Sequence, residues 1–399
     1  MKTSIDQLGI FGGPPAFAER LHVGRPNIGN KDEFLTRVND LLDRRWLTND
    51  GPFVRELESR IEALLDVREC VVLCNGTAAL DVLLKCLNLE GEVILPSFTF
   101  VSSAHVLETM NLKPVFCDVD KETHNLDPSL VEPLITPLTA AILGVHLWGR
   151  PCPIGGLTEL ANRYDVPLIF DAAHAFSCSY RGEFIGKFGI AEVLSFHATK
   201  FFQTFEGGAV VTNDSELANE VRLKRNFGFS YFDHVDGLGT NGKMPEISAA
   251  MGLSNLDDLD FFLETNYRNY ECYENHLSDL PGVSLLQFDR RETNNYQYIV
   301  VTIDQDITGF DRDFLVEVLH AENVLARRYF HPGVHRMEPY QSIYPEFVGR
   351  LSQTELLSDQ VMCLPTGTSV SPSDIQLLCA TIKFIGENCI EIKRRQESP

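Results

Sequence analysis

Val193-Leu194-Ser195-Phe196-His197-Ala198-Thr199-Lys200 is a short apolar run that breaks into a polar cluster ending on an amine. Upstream, Val166-Pro167-Leu168-Ile169-Phe170-Asp171-Ala172-Ala173-His174 follows the same plan and meets a carboxylate where its apolar run stops. Apolar runs of this length, closed by polar residues, fit strands buried on both faces of a parallel sheet. Further runs over 70–73, 92–95, 113–116, 140–145 and 209–212 alternate with helical stretches. One such stretch, 78–89, carries Ala79, Leu80, Val82, Leu83, Leu84, Cys86 and Leu87, enough to be buried on more than one side. The alternation predicts an α/β fold with a mostly parallel central sheet.

Beyond this region, residues 247–280 read as one long helical connection to a smaller α+β C-terminal domain. That domain has strand signals over 283–286 and 298–303 and helices over 313–322 and 373–385. The expected division is an N-terminal segment 1–30 crossing the surface, a large domain 31–258 and a small domain 259–399, with disorder confined to 393–399.

Composition narrows the function. With 34 basic and 56 acidic residues the net charge is -22, which opposes nonspecific nucleic-acid binding and attachment to anionic membranes. An anionic substrate would need local cations or helix starts to hold it. The 10 cysteines are scattered and form no C-x-x-C pair, as expected of reduced core residues in a cytoplasmic protein. The first residues lack an apolar leader, and no apolar run reaches membrane-spanning length.

Lys200, Asp171 and Ser195 lie at or just beyond the ends of apolar runs, where open α/β sheets bind ligands. Singly, they read as a surface lysine, a helix cap and a turn residue. Together they match the needs of pyridoxal 5'-phosphate (PLP): an amine for its aldehyde, a carboxylate for its ring nitrogen and hydroxyls for its phosphate. Asn75-Gly76-Thr77-Ala78-Ala79-Leu80 adds a helix start, where Gly76 permits a tight turn and Thr77 and Ala78 offer donors to a phosphate. Phe100, after Pro96-Ser97-Phe98-Thr99, is placed to cover a planar ring, and His174 to approach it. Gly239-Thr240-Asn241-Gly242-Lys243 is a Gly-rich loop of the kind that reaches neighbouring sites.

These motifs resemble those of the DegT/StrS group of PLP-dependent sugar aminotransferases, within the fold-type I, aspartate aminotransferase-like enzymes. The resemblance runs from Trp46-Leu47-Thr48-Asn49-Asp50-Gly51-Pro52 to Cys363-Leu364-Pro365. It implies that Lys200 carries the cofactor and shuttles the proton, that Asp171 partners the ring nitrogen, and that Phe100 and His174 flank the ring. It also implies phosphate ligands at Thr77, Ala78 and Ser195, and a homodimer with shared sites that Asn241 of one subunit completes for the other. Tyr329, His331 and His335 fall where members place substrate contacts. Thr204-Phe205-Glu206 departs from the pattern, since many members have Gly before the Glu, and this puts the shape of that loop in question.

Within the group, His22-Val23-Gly24-Arg25-Pro26-Asn27 and His146-Leu147-Trp148-Gly149-Arg150-Pro151 are similar to enzymes that aminate dTDP-4-keto-6-deoxy-D-glucose at C4 with L-glutamate. The products expected on that resemblance are dTDP-4-amino-4,6-dideoxy-D-glucose and 2-oxoglutarate. C3 amination of the related 3-keto sugar stays open, as does, at a lower rank, a noncatalytic PLP-binding regulator. A sugar-dehydrating offshoot of the group carries histidine in place of the lysine, and Lys200 argues against it.

Overall fold

The computed structural model describes residues 2–396. Its main sheet has strands β1 (Glu69–Leu73), β2 (Glu92–Pro96), β3 (Lys113–Cys117), β4 (Thr139–Val145), β5 (Leu168–Asp171), β6 (Ala191–Ser195) and β7 (Gly208–Thr212). They join in the order β1-β7-β6-β5-β4-β2-β3. All seven runs expected to be strands are strands.

The run over 209–212 holds the topological surprise. β7 is antiparallel to both of its neighbours, β1 and β6, while β2, β3, β4, β5 and β6 pair in parallel. An antiparallel neighbour needs no crossover helix, so the chain leaving β6 turns back at the same end of the sheet. Lys200 rides on that return and stays beside the strand ends. Gly208 enters β7 opposite both Ser195 and Leu73.

Successive strand residues serve opposite faces. Val71, Leu73, Val193 and Val210 belong to one core, and Cys70, Val72, Leu194, Ala209 and Val211 to the other. Helices α1 (Lys31–Arg44) and α2 (Pro52–Leu65) pack on the second face. On the first lie α3 (Gly76–Leu87) and α4 (Ser102–Thr109). Because α3 lies between the sheet and its neighbouring helices, Ala79, Leu80, Val82, Leu83, Leu84 and Cys86 are all buried.

The expected helix over 247–280 is two helices, α5 (Glu246–Asp257) and α6 (Leu259–Leu277), broken at Asp258. Leu259 and Phe262, just past the break, stay in the large core, and the change of core comes further along α6. Leu253 and Leu256 of α5 serve the large core, whereas Tyr270, Tyr273 and Leu277 of α6 pack on a second sheet. That sheet comprises β8 (Val283–Leu285), β9 (Ile299–Ile303) and β10 (Val361–Leu364), all antiparallel. The sequence reading did not include β10. Helices α7 (Arg312–Ala321), α8 (Ser352–Gln360) and α9 (Pro372–Glu387) complete this part.

Residues 2–30 do more than cross the surface. Leu8, Phe17 and Leu21 are buried in the core around the second sheet, and Leu21 and His22 pair in parallel with Val324 and Leu325. The tail differs from expectation too: Cys389–Gln396 is helical with Ile392 buried, while Glu397, Ser398 and Pro399 lie outside the described residues. Among the described residues no helix is long and apolar enough to cross a membrane.

Tight backbone approach sets the geometry at the start of β7. A Cβ on Gly208 would fall 2.5 Å from the Gly76 nitrogen and 2.6 Å from the Asn75 carbonyl carbon. Backbone cannot yield as a flexible side chain does, so Gly208→Ala should cost about 2 kcal/mol of stability. The check is a lowered urea midpoint and melting temperature relative to the parent protein.

Candidate active site

A cavity of 840 Å³ opens where β5 and β6 end. Asp171, the last residue of β5, pairs with Val193, so its carboxylate and Ser195 emerge at one end of adjacent strands. Gly76, Thr77, Ala78, Phe100, Asp171, His174, Ser195, Lys200 and Tyr329 all line this cavity.

The start of α3 supplies its polar floor. Asn75 caps the helix, its side-chain oxygen accepting the Ala78 N–H at 2.8 Å. The N–H groups of Gly76 and Thr77 have no intrahelical acceptor, because a helix start has none to offer. The Thr77 hydroxyl lies 2.8 Å from the Ser102 hydroxyl. A Cβ on Gly76 would stand 3.0 Å from the Ser195 Cβ and 3.3 Å from its Oγ, filling the hollow between them.

Asp171 is held at both oxygens. Ser103 donates its hydroxyl to Oδ2 at 2.9 Å, and the Ala173 N–H donates to Oδ1 at 3.1 Å. Lys200 sits on a turn closed by its own N–H donating to the His197 carbonyl at 2.8 Å, with Nζ 3.5 Å from the Tyr298 hydroxyl. The lysine has surface facing the cavity, yet its amine lies deep among protein atoms. That desolvation pulls its pKa down to about 8, against the opposing pull of Asp171.

His174 is buried beside the Trp148 and Phe330 pair, its ring centroid 6.0 Å and 6.1 Å from theirs, with the Tyr298 ring at 4.8 Å. Its Nδ1 accepts the Trp148 N–H at 3.2 Å. Burial first, and the nearby Lys200 second, push its pKa well below the usual histidine range. The ring is therefore neutral with its proton on Nε2, a donor beside the cavity.

Three sequence-based assignments fall elsewhere. His331 has Nδ1 3.4 Å from Asp359 and does not line the cavity. His335 is fully buried between Ser97 and Glu355, and neither histidine faces the cavity of this chain. In that turn Tyr329 and Phe330 are the residues that face the cavity. Asn241 is exposed, bridges to Asn226 and is absent from the lining of this chain's own cavity.

The doubtful loop resolves simply. Phe205, where the family resemblance leads one to expect Gly, adopts the left-handed backbone, φ 64, that glycine favours. Its N–H donates to Gln203 Oε1 at 2.6 Å and its ring packs edge-on to Phe34 at 5.7 Å, which offsets the strain.

Thr99, Ser102, Ser103, Tyr298, Arg327 and Phe330 were not anticipated as site residues. Thr99, Ser102 and Ser103 had a signal, since they flank Phe100 beyond a strand end. Tyr298, Arg327 and Phe330 arrive from the second sheet and its following turn, and no local pattern marks them.

An amine, a carboxylate and a helix start kept open toward Ser195 by Gly76 line one cavity and fit the amine-reactive aldehyde, ring nitrogen and phosphate of PLP. Such a site on this sheet defines a fold-type I PLP-dependent aminotransferase. The chain belongs to the DegT/DnrJ/EryC1/StrS aminotransferase family, whose model matches residues 29–383. It is a PLP-dependent sugar aminotransferase.

Among its relatives, the dTDP-4-amino-4,6-dideoxy-D-glucose transaminase of Shigella dysenteriae is 34% identical over 92% of this chain and 99% of that protein. The GDP-perosamine synthase of Caulobacter vibrioides is 32% identical over 91% of this chain and 97% of its own length. Among solved structures, DesI in the presence of its TDP-sugar product is 44% identical and superposes with a TM-score of 0.93, covering 99% of this chain and 100% of DesI.

The lowered Lys200 pKa has a measurable sign. The neutral amine is the nucleophile, so in cofactor-free protein Lys200 should be modified by an acylating reagent at a rate that rises through pH 8 and levels off above it. An ordinary lysine would keep gaining reactivity beyond pH 10. Peptide mapping of the modified protein across that range reads the difference.

Proposed function

We propose that this enzyme moves the amino group of L-glutamate to C4 of dTDP-4-keto-6-deoxy-D-glucose, giving dTDP-4-amino-4,6-dideoxy-D-glucose and 2-oxoglutarate. The observation that carries the reading is the grouping of Lys200, Asp171 and the α3 start in one cavity, in a chain 34% identical to a transaminase named for that product. A second relative of the same name, from Escherichia coli, is 33% identical over 88% of this chain.

In this reading Lys200 would hold PLP covalently through Nζ, and Asp171 would partner its ring nitrogen. Gly76, Thr77, Ala78 and Ser195 hold its phosphate, and Phe100 and His174 lie against its ring. Bound PLP supplies an electron sink for the carbon that loses its proton. The chain's residues do the rest. Once the amino donor has displaced it from the cofactor, Lys200, with a pKa of about 8, would be partly the free amine near neutral pH, so Nζ could take a proton from one reacting carbon and deliver it to another. The Ser103 and Ala173 bonds hold the Asp171 carboxylate in one orientation, which keeps the ring-nitrogen proton in place. Neutral His174 offers Nε2–H to a cofactor oxygen, and Tyr329 is the proposed sugar contact.

Residues 31–258 form the cofactor-binding domain in this account, and residues 259–399 the smaller domain that walls the cavity with Tyr298, Arg327 and Tyr329. The enzyme works as a homodimer in which Asn241 reaches the partner's phosphate site. Its substrates and ten free cysteines suit the cytoplasm.

Incubation with dTDP-4-keto-6-deoxyglucose and L-glutamate, followed by NMR of the sugar, should locate the new amine at C4. An amine at C3, or no turnover of any nucleotide-linked keto sugar, would sink the substrate assignment. Lys200→Ala should abolish transamination, and Asp171→Asn should lower kcat by about 100-fold or more. Retained activity in Lys200→Ala would overturn the mechanism.

The shared site has a separate test. Lys200→Ala and Asn241→Ala homodimers should both be impaired, yet mixing them should restore activity, because each heterodimer then contains one site with both native residues. If Asn241 served its own subunit, the mixture would recover nothing.

A further inference from the structure

His335, which does not face the cavity of this chain, sits in a buried polar cluster that the transamination chemistry does not use. Ser97, just past β2, and His335 are both fully buried. The His335 N–H donates to Ser97 Oγ at 3.0 Å, and Oγ lies 2.7 Å from His335 Nδ1. On the far side of the ring, Nε2 lies 3.2 Å from Glu355 Oε1, which also accepts the Gly349 N–H at 2.7 Å. One proton arrangement satisfies every group: Ser97 donates its hydroxyl to Nδ1, and His335 donates Nε2–H to Glu355. The neighbouring backbone joins in, the Val334 N–H donating to the Ser97 carbonyl at 2.9 Å.

Both arms of the cluster end on the large sheet. Ser97 follows β2 directly. Glu355 lies on α8, whose first N–H groups, from Gln353 and Thr354, donate to Asp118 just beyond β3 at 2.9 Å and 2.7 Å. The chain entering the turn is fixed separately, by paired backbone bonds between Arg327 and Cys363 of β10. Between these two anchors lie Tyr329 and Phe330, the part of the turn that lines the cavity. Phe330 stacks on Trp148 at 5.2 Å and meets Phe100 edge-on at 6.4 Å.

We propose that Ser97, His335 and Glu355 form a positioning clamp that sets the distance between the Phe330–Tyr329 wall and the Phe100 side of the cavity, and so governs binding of the bulky sugar substrate. Apolar packing would hold the turn near the sheet. A hydrogen-bonded network with Ser97 and His335 buried and Glu355 partly exposed selects one position for it. These three residues touch no reacting atom, so the proton-transfer step is untouched while the width available to the sugar depends on them. The kinetic consequence rests on the proposed transamination; the positional one does not.

Trp148 supplies a readout free of that assumption. The chain has two tryptophans, Trp46 exposed and Trp148 fully buried under Phe330. In a Trp46→Phe background, Ser97→Ala and Glu355→Ala should raise the acrylamide quenching constant of Trp148 severalfold. They should also raise KM for dTDP-4-keto-6-deoxyglucose about tenfold with kcat nearly unchanged, as expected when a wall shifts but the chemistry does not. Glu355→Gln keeps an acceptor for His335 and should return both values towards those of the parent.

Unchanged quenching and KM in the alanine variants, even with a lower melting temperature, would reduce the cluster to a fold contact and overturn the proposal. Increased quenching with an unchanged KM would overturn it as well. If the parent enzyme turns over no keto sugar, the substrate assignment fails on its own. The quenching series, with its rescue by Glu355→Gln, then decides whether the clamp sets the wall.

Discussion

A lysine amine taken out of water, with one carboxylate as its nearby opposite charge, is the constraint on which this molecule is arranged. Burial draws the Lys200 pKa down to about 8 while Asp171 pulls the other way. That balance requires the amine to be deep yet open to a ligand, and the carboxylate to be fixed nearby. The sheet meets both requirements at once. β5 ends on Asp171, β6 ends on Ser195, and the antiparallel β7 brings the chain back so that Lys200 never leaves that edge. A crossover after β6 would have carried it away.

The same edge offers short-range donors to an anionic ligand in a chain with a net charge of -22. Long-range attraction is unavailable, so negative groups must be met by short-range donors. The α3 start provides them, kept open by Gly76 and by the close backbone approach of Gly208. On the opposite wall Arg327 adds a guanidinium, anchored through its backbone to β10 and lying over the Tyr329 ring at 5.1 Å. His174, its pKa pushed well below the usual range by burial, adds no charge beside Lys200.

Reading the chain alone reached the strands because each is a brief apolar run buried on both faces, a pattern that needs no partner to be seen. It reached Lys200, Asp171 and the Gly76 turn for a related reason: polar residues at the ends of such runs have few structural explanations. Other features depended on distant contacts. Asp258 breaks a helix whose hydrophobic pattern continues through it, since Leu259 and Phe262 beyond the break share a core with Leu253 and Leu256 before it. β10 is a run of four residues, Val361–Leu364, whose role appears only when it pairs with β9. His335 reads as a polar residue in a turn and becomes a buried link once Ser97 and Glu355 converge on it.

Local chemistry in the sequence determined the α/β class, the strand ends that carry the amine and the carboxylate, and the helix start that fits a phosphate, since each depends on neighbours within a few positions. Tertiary structure alone decided the reversed direction of β7, the second wall built from Tyr298, Arg327 and Phe330, and the burial that lowers the Lys200 pKa. Those properties arise from groups far apart in the chain, and neither desolvation nor a shared cavity exists until packing has brought them together.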